Sequence, residues 1–237
     1  MLTDFHSHIL PGVDDGSDSV ETSVKLLEAE KEQGVCRIVA TPHFYPKQDS
    51  PARFLRRREA AFQQLLEKTE NRQGLPQIKK GAEVFFFSGI SSSDQLEQLT
   101  IDGKRCILIE MPVGEWSKNM YRELEEIYSQ RSILPLIAHV DRYIRPFHTR
   151  GIPEQLAHLP VMVQANAGFF IRRSTRHMAL SMLKKRQIHI LGSDCHNLTD
   201  RRPNLAQAEA IIRDSLGEET LQWIKNNEET IFSLPQV

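Results

Sequence analysis

From Asp4 to Gly16 the chain reads DFHSHILPGVDDG. His6 and His8 stand at i and i+2, so on a strand both imidazoles point to the same face. Two imidazoles converging on one side of a strand form a natural metal grip. Pro11-Gly12 and Asp14-Asp15-Gly16 end that strand in a turn, from which Asp15 can return a carboxylate to the same region. Taken alone, a two-histidine match fits an edge strand with surface histidines equally well. The remainder of the chain tips the balance, because it repeats the arrangement.

Outward from this stretch, short apolar runs alternate with helical patterns. Strands are expected at Leu2–His8, Val35–Ala40, Gln77–Val84, Cys106–Glu110, Leu134–His139, Val161–Ala165 and Ile188–Gly192. Their Ile and Val content suits parallel strands buried on both faces. Helices are expected at Ser19–Gln33, started by Asp18 or Ser19 and ended by Gly34, and from Pro51 to about Asn71. Others follow at Lys118–Gln130, near Pro153–Leu159, and at Thr175–Arg186, Leu205–Leu216 and Glu219–Asn227. The region from Phe85 to Gly103 reads as a loop with a short helix. Strands each followed by a helix imply an α/β chain: a single distorted (β/α)7 TIM-like barrel over residues 1–237, treated as one domain. A doubly wound open sheet is the alternative.

Composition bounds the function. The chain has 237 residues, 40% hydrophobic and 26% charged, as in ordinary globular proteins. With 30 basic and 31 acidic residues the net charge is −1, which points to neither nucleic acid nor membrane as partner. No apolar run approaches the roughly 20 residues of a membrane helix, and no signal peptide pattern is present. Cys36, Cys106 and Cys195 are odd in number and widely spaced, so buried free thiols and a cytoplasmic location are expected.

The chemistry gathers at the strand ends. His6 and His8, His43, Glu83, Glu110, His139, and Asp194 with His196 all fall at the C-terminal ends of expected strands, where barrel active sites form. Imidazole and carboxylate without thiolate suit Mn, Fe or Zn, and carboxylates can bridge two ions. Ions about 3.5–4 Å apart polarise a phosphoryl oxygen and activate water at neutral pH. Neither a dinucleotide nor a P-loop fingerprint occurs, so phosphoester hydrolysis is expected over redox chemistry.

The motifs HSHILPGVDDG, TPHFYP, GAEV, ILIEMP, IAHVDRY, QANAG and GSDCHN, in that order, resemble the PHP (polymerase and histidinol phosphatase) superfamily. The resemblance runs from Met1 to about Ile231. It is strongest to the CpsB-like branch, metal-dependent bacterial protein tyrosine phosphatases linked to capsule and exopolysaccharide synthesis. It implies the PHP barrel fold and two or three ions per chain, Mn first and Fe or Zn as alternatives. One ion would be held by His6, His8, Glu83 and Asp194, a second by Glu83, Glu110 and His139, and a third by Asp15, His43 and His196. Arg142 and Arg201 would bind the phosphate, with Arg202 a rival for Arg201. The His43 and Asp15 region would assist the departing phenolate. The implied partner is a phosphotyrosine-bearing protein, the tail of a bacterial tyrosine kinase. A small-molecule phosphatase of the histidinol-phosphate type, a phosphodiesterase, and a catalytically silent binding module are the alternatives. One departure is Val140-Asp141, where the family has a longer acid before the arginine.

Other features read as structural. His148, His158, His177 and His189 have no partner pattern. Arg56-Arg57-Arg58 is read as a solvated face, with docking of an acidic tail the sharper option. Arg172, Arg173 and Arg176 follow the sixth strand and are candidates for the same mouth. Phe85-Phe86-Phe87 reads as packing, with one or two rings available to a phosphotyrosine ring. Cys195 through Arg201 satisfies C-x5-R, the bare signature of cysteine-dependent tyrosine phosphatases. That chemistry needs a glycine-permitted loop of amides around phosphate, and no glycine lies in it. The match is read as coincidence, with Cys195 a packing residue.

Overall fold

The computed structural model describes residues 2–144 and 151–237, so His148 lies outside the described residues. Nine strands are present among them: β1 Leu2–Ser7, β2 Val35–Ala40, β3 His43–Phe44, β4 Gln77–Lys80, β5 Glu83–Phe85, β6 Cys106–Glu110, β7 Leu134–Ile137, β8 Met162–Asn166 and β9 Ile190–Gly192. The helices are α1 Val20–Glu32, α2 Pro51–Thr69, α3 Lys118–Arg131, α4 Ile152–Leu156, α5 Ala167–Ile171, α6 Arg173–Lys184, α7 Leu205–Leu216 and α8 Glu218–Ser233. Three short 3-10 turns fill Ile90–Gly103 where one short helix was expected. Helix α5 was not foreseen, and α8 runs past the expected Asn227 to Ser233.

Nine strands occupy seven positions. Strand β2 continues through Thr41-Pro42 into β3, and β4 through Gly81-Ala82 into β5. Strand β2 pairs with β4 and β3 with β5, all parallel. Pro42 has no N–H to give a ladder, so the strands break there. Gly81 N donates to Ala40 O and Glu83 N to Pro42 O, which carries the pairing across the break. Strands β5 to β9 follow in chain order. Strand β9 then returns to β1: Asp194 N donates to His6 O at 2.7 Å and His8 N to Cys195 O at 2.9 Å. The expected seven-position TIM-like barrel is the observed architecture, closed by the segment that follows β9.

Alternation along the strands separates two apolar layers. Val39, Cys106, Leu108, Leu136, Ala138 and Ile190 form one cluster with Phe5 inside the barrel. Their neighbours Ile38, Ala40, Ile107, Ile109, Ile137 and Leu191 pack outward with the helices in the larger cluster. The C-terminal end of α8 closes the bottom, with Ile231 in the inner cluster and the Phe232 ring 5.2 Å from that of Phe5. Continuing the inward parity up each strand leads from apolar to polar residues: Leu108 to Glu110, Met162 to Gln164 and Asn166, Ile190 to Gly192 and Asp194. The apolar layer is therefore the floor beneath a polar mouth.

Helix α8 also carries Glu228, only 2% exposed. Burial pushes its carboxyl up to about 8 from an ordinary 4.5, against weaker opposition from Thr3 and Arg37. Between those values the folded state keeps a proton that the unfolded chain releases, so stability falls as pH rises through this window. Glu228→Gln, neutral throughout, should be more stable than the wild type above pH 8 by on the order of 1–3 kcal/mol. The gap should close towards pH 4.5, the ordinary carboxyl value. Urea titrations across pH measure this; a variant with the wild-type pH slope would exclude Glu228 as its source.

Candidate metal centre

Local irregularities aim the side chains. In β1 the register slips between Asp4 and Ser7, where three steps lie opposite two steps of β2. This bulge lets Phe5 join the floor while His6 and His8 still face the mouth. Asp4 points the other way and accepts hydrogen bonds from the His6 and Ser193 backbone amides, at 3.0 and 2.9 Å. His139 and Asp194 both have left-handed backbone, with φ of 30° and 56°. Such strain costs about 1–3 kcal/mol each and persists only where neighbours enforce it. His139 N donates to Gln164 Oε1 at 2.6 Å, and Asp194 N to His6 O. A Cβ at Gly192 would lie 2.6 Å from His6 Cβ, so this glycine lets β9 approach the histidine strand.

Hydrogen bonds set the histidine tautomers. His8 Nδ1 donates to Asp14 Oδ2 at 2.7 Å, His6 Nδ1 faces Gln164 Oε1 at 3.2 Å, and His196 Nδ1 faces the Asp194 carbonyl at 3.0 Å. Each partner is an acceptor, so each ring carries its hydrogen on Nδ1 and turns an Nε2 lone pair into the mouth. His6 Nε2 and His8 Nε2 are 3.1 Å apart. Glu83 Oε2 lies 3.2 and 3.3 Å from them, and Asp194 Oδ1 lies 3.6 and 3.4 Å away. Two imidazole nitrogens and two carboxylate oxygens thus converge on one point, as the ligands of a divalent cation do.

Two neighbouring clusters share residues with this one. Glu83 and Glu110 meet His43 Nδ1 at 2.8 and 4.0 Å and His139 Nε2 at 2.6 and 3.6 Å. Asp15 Oδ1 lies 3.4 Å from His43 Nε2 and 3.5 Å from His196 Nε2, with His8 adjacent. His43 thus faces two clusters, where the sequence reading gave it one. All nine expected ligand residues come together in one mouth. The fit to metal is carried by orphaned atoms: Glu83 Oε2, Glu110 Oε2, His43 Nδ1 and His196 Nε2 are buried without a hydrogen-bond partner. The donors are oxygen and imidazole nitrogen, as Mn, Fe or Zn require.

Charge is arranged to match. Burial opposes ionisation of Glu83, but His6, His139 and His43 outweigh it and hold its carboxyl well below the usual range. Burial and the nearby Glu83 raise Glu110. Burial, His8 and Arg201 push His196 down to about 4, which keeps its ring neutral and able to donate.

The arginines stand on one side. Arg142 Nη2 donates to Asp194 Oδ2, with Nη1 3.6 Å from Glu110. Arg201 Nη2 donates to Asp194 Oδ1 at 2.8 Å, with Nη1 3.8 Å from Asp15. A cavity of about 460 Å³ opens beside them, lined by Arg142, Arg172, Arg201, Arg202, Asn166 and Asp194, among others. Arg201 reaches the centre and Arg202 only its rim. Asp141, the shortened acid, accepts the Asn166 amide hydrogen at 3.1 Å. Asn166 Nδ2 in turn donates to Asp194 Oδ2 at 3.0 Å, so Asp141 supports the centre through Asn166.

Arg56 is exposed, but Arg58 is buried against Gly81 O and Gln98 O and Arg57 binds Val13 O and Asp49. The triple-arginine run is therefore not one solvated face. Phe86 is buried in the core and Phe87 packs against it, while Phe85 is half-buried beside Tyr45. His158 and His177 are exposed. His189 is structural: its Nδ1 accepts from Val163 N, and burial pushes it down to about 4. Cys36 is half-buried rather than buried. Cys195 is fully buried, and burial together with Glu30 and Asp4 raises its thiol well above its ordinary value. No thiolate forms there at neutral pH.

Several residues escaped the sequence reading. Asp14 fixes His8 and accepts the His43 amide hydrogen at 2.9 Å; its signal was the carboxylate pair before Gly16. Gln164, a polar residue inside an apolar strand, holds both His6 and His139. Tyr143 accepts the Met111 amide hydrogen and packs beside His139.

Fold and mouth together define a TIM-like parallel barrel with a clustered candidate metal site. The chain belongs to the CpsB/CapC family of capsular polysaccharide synthesis, whose model matches residues 2–233. It is 28% identical over 228 residues to the tyrosine-protein phosphatase CpsB of Streptococcus agalactiae, covering 92% of each chain. It is also 28% identical over 254 residues to the tyrosine-protein phosphatase YwqE of Bacillus subtilis, covering 99% and 95%. Among solved structures, one described with YwqE of B. subtilis and CpsB of Streptococcus pneumoniae as metal-dependent tyrosine phosphatases superposes with a TM-score of 0.83. At 23% identity, over 100% of this chain and 96% of that one, what is shared is the fold.

Asp14→Asn removes the carboxylate that fixes the His8 tautomer. Its affinity for Mn should fall about 10–100-fold, measured by competition with a fluorescent chelator. Unchanged affinity would limit Asp14 to shaping the turn.

Proposed function

We propose that this chain is a metal-dependent protein tyrosine phosphatase acting in capsule or exopolysaccharide synthesis. The observation that carries the reading is the mouth itself: converging imidazole and carboxylate donors with two arginines on one flank. Family membership and the named relatives support the same activity. His6, His8, Glu83 and Asp194 would hold one ion, Glu83, Glu110 and His139 a second, and Asp15, His43 and His196 a third, with Glu83 shared. His43 also faces the second group. Bound divalent ions, Mn first among them, supply Lewis acidity and activate water at neutral pH.

The chain's own residues do the rest. Arg142 and Arg201 bind the phosphoryl oxygens, and their forks hold charge developing there. Asn166 and the two arginines orient Asp194. Asp14, Gln164 and the Asp194 carbonyl fix three imidazoles before substrate arrives, so no reorganisation is needed. His43 and Asp15, on the open side, assist the departing phenolate. Tyr45, whose ring lies 5.1 Å from that of His43, and Phe85 offer an aromatic wall to the phenyl group. The partner is a phosphotyrosine-bearing protein, the tail of a bacterial tyrosine kinase. No helix among the described residues is long and apolar enough to cross a membrane. Three free cysteines suit a cytoplasmic location. Residues 1–237 act as one catalytic unit.

Chelation should abolish turnover of a phosphotyrosine peptide, and Mn should restore it. Asp194→Asn and His196→Ala should each lose several orders of magnitude, while Cys195→Ser keeps most activity. A dead Cys195→Ser enzyme that ignores chelators would overturn the reading.

Arg142→Lys or Arg201→Lys removes a planar fork and a charge-assisted bond of about 1.5–3 kcal/mol. Steady-state kinetics should show kcat/KM falling about 10-fold or more in each. Wild-type kinetics in both would remove them from the phosphate site.

A further inference from the structure

We propose that Arg172 and Arg202 form a second anion subsite beside the scissile phosphate, which selects phosphotyrosine segments carrying a neighbouring acidic group. The inference rests on the phosphatase reading and names a preference within it.

The cavity beside Asp194 is lined by four arginines, and among the described residues only two of them form ion pairs. Arg142 and Arg201 are held by Asp194, Glu110 and Asp15. Arg172 and Arg202 line the same cavity, and among the described residues neither guanidinium has a carboxylate within ion-pair reach. The acids lining the cavity have other hydrogen-bond partners, and of these acids only Asp194 is paired with arginine among the described residues. Asp194 receives both inner arginines and Asn166. Asp141 receives the Asn166 amide, and Asp200 the Thr199 hydroxyl. Two cations thus face the cavity without an ion-pair partner among the described residues, and the exposed Asp200 carboxylate lines the same cavity.

Both are placed by the backbone. Arg172 lies between α5 and α6 with its guanidinium over Gly168, where an added Cβ would meet its Nη2 at 3.8 Å and Cζ at 3.9 Å. A bulkier residue at 168 would occupy that resting place. Arg202 precedes Pro203, which is buried and restricts Arg202 to extended backbone. The neighbouring Arg176 is not available, because its guanidinium binds the Phe170 and Ile171 carbonyls. Val113, 79% exposed, also lines the cavity and offers an apolar contact to a peptide. At about 460 Å³ the cavity exceeds what one phosphate fills. Its chemistry suits a carboxylate or a second phosphate held by an arginine pair.

The test compares kcat/KM for the Mn-loaded protein on three phosphotyrosine peptides and on free phosphotyrosine. The peptides carry alanine, glutamate or a second phosphotyrosine beside the scissile residue. The wild type should favour an acidic flank over alanine by about fivefold or more, and less so in high salt. Preference for glutamate assigns the subsite to carboxylate, and preference confined to the second phosphotyrosine assigns it to phosphate. In Arg172→Gln/Arg202→Gln the ratio should fall to near one. Equal turnover of all peptides by the wild type, or a preference that survives the double substitution, would overturn the inference. An equal drop on free phosphotyrosine and all peptides would also overturn it, by placing these arginines at the scissile phosphate. Wild-type protein inactive even on free phosphotyrosine would instead sink the phosphatase reading. Circular dichroism melts of the double variant separate a folding defect from a lost preference.

Discussion

Glu83 is the constraint on which the mouth depends. Its carboxylate is buried and lies within 2.6–3.3 Å of ring nitrogens of His139, His43, His6 and His8. A buried carboxylate left alone would cost several kcal/mol. Here four imidazoles from three parts of the chain surround it. One oxygen remains without a hydrogen-bond donor, which is the condition of a ligand and not of a structural acid. The first and second donor clusters meet at this residue, and His43 joins it to the third. Any change that moves β5 therefore moves the whole centre.

The barrel makes that convergence possible. Inward positions are apolar at the bottom and polar at the top, so one repeating pattern yields both a packed floor and a reactive mouth. Departures from regular strand geometry fall where donors must be aimed. The bulge in β1, the break at Pro42 and the left-handed His139 and Asp194 each turn a side chain that straight strands would misdirect. The strain is held by packing and hydrogen bonds from Gln164 and the β1 backbone, which fits a pre-formed site.

The electrostatic layout separates two chemistries that the chain superficially shares. A cysteine-dependent phosphatase needs an exposed thiolate in electropositive surroundings. Cys195 instead lies buried under the mouth beside Glu30 and Asp4, where burial first, and the two carboxyls with it, oppose a thiolate. The arginines sit on the other side of the same segment, over Asp194. A C-x5-R match thus has its cysteine and arginine on opposite faces, and cannot gather both around one phosphate.

Much of this was legible in the chain itself. Alternation at i and i+2 put His6 and His8 on one face, and short β-branched runs marked all seven strand positions. Hydrophobic periodicity is a local property, so its strands and long helices survive folding with boundaries shifted by a few residues. The eight polar residues at the strand ends were equally visible, as was Asp15 in the turn after the first strand. Sequence did not disclose the supports. By sequence Asp14 reads only as part of the turn, Gln164 only as part of the QANAG motif, and Arg58 as solvated. Each acquires its role from a partner far away: Gln164 from His6, and Arg58 from the Gly81 and Gln98 carbonyls. The sharing of His43 between two clusters likewise depends on how β3 lies beside β5. Local pattern determined which residues line the barrel. Which of them touch was decided only by closure of β9 onto β1 and by the β1 bulge, because contacts between distant segments are set by register and packing and leave no periodic trace.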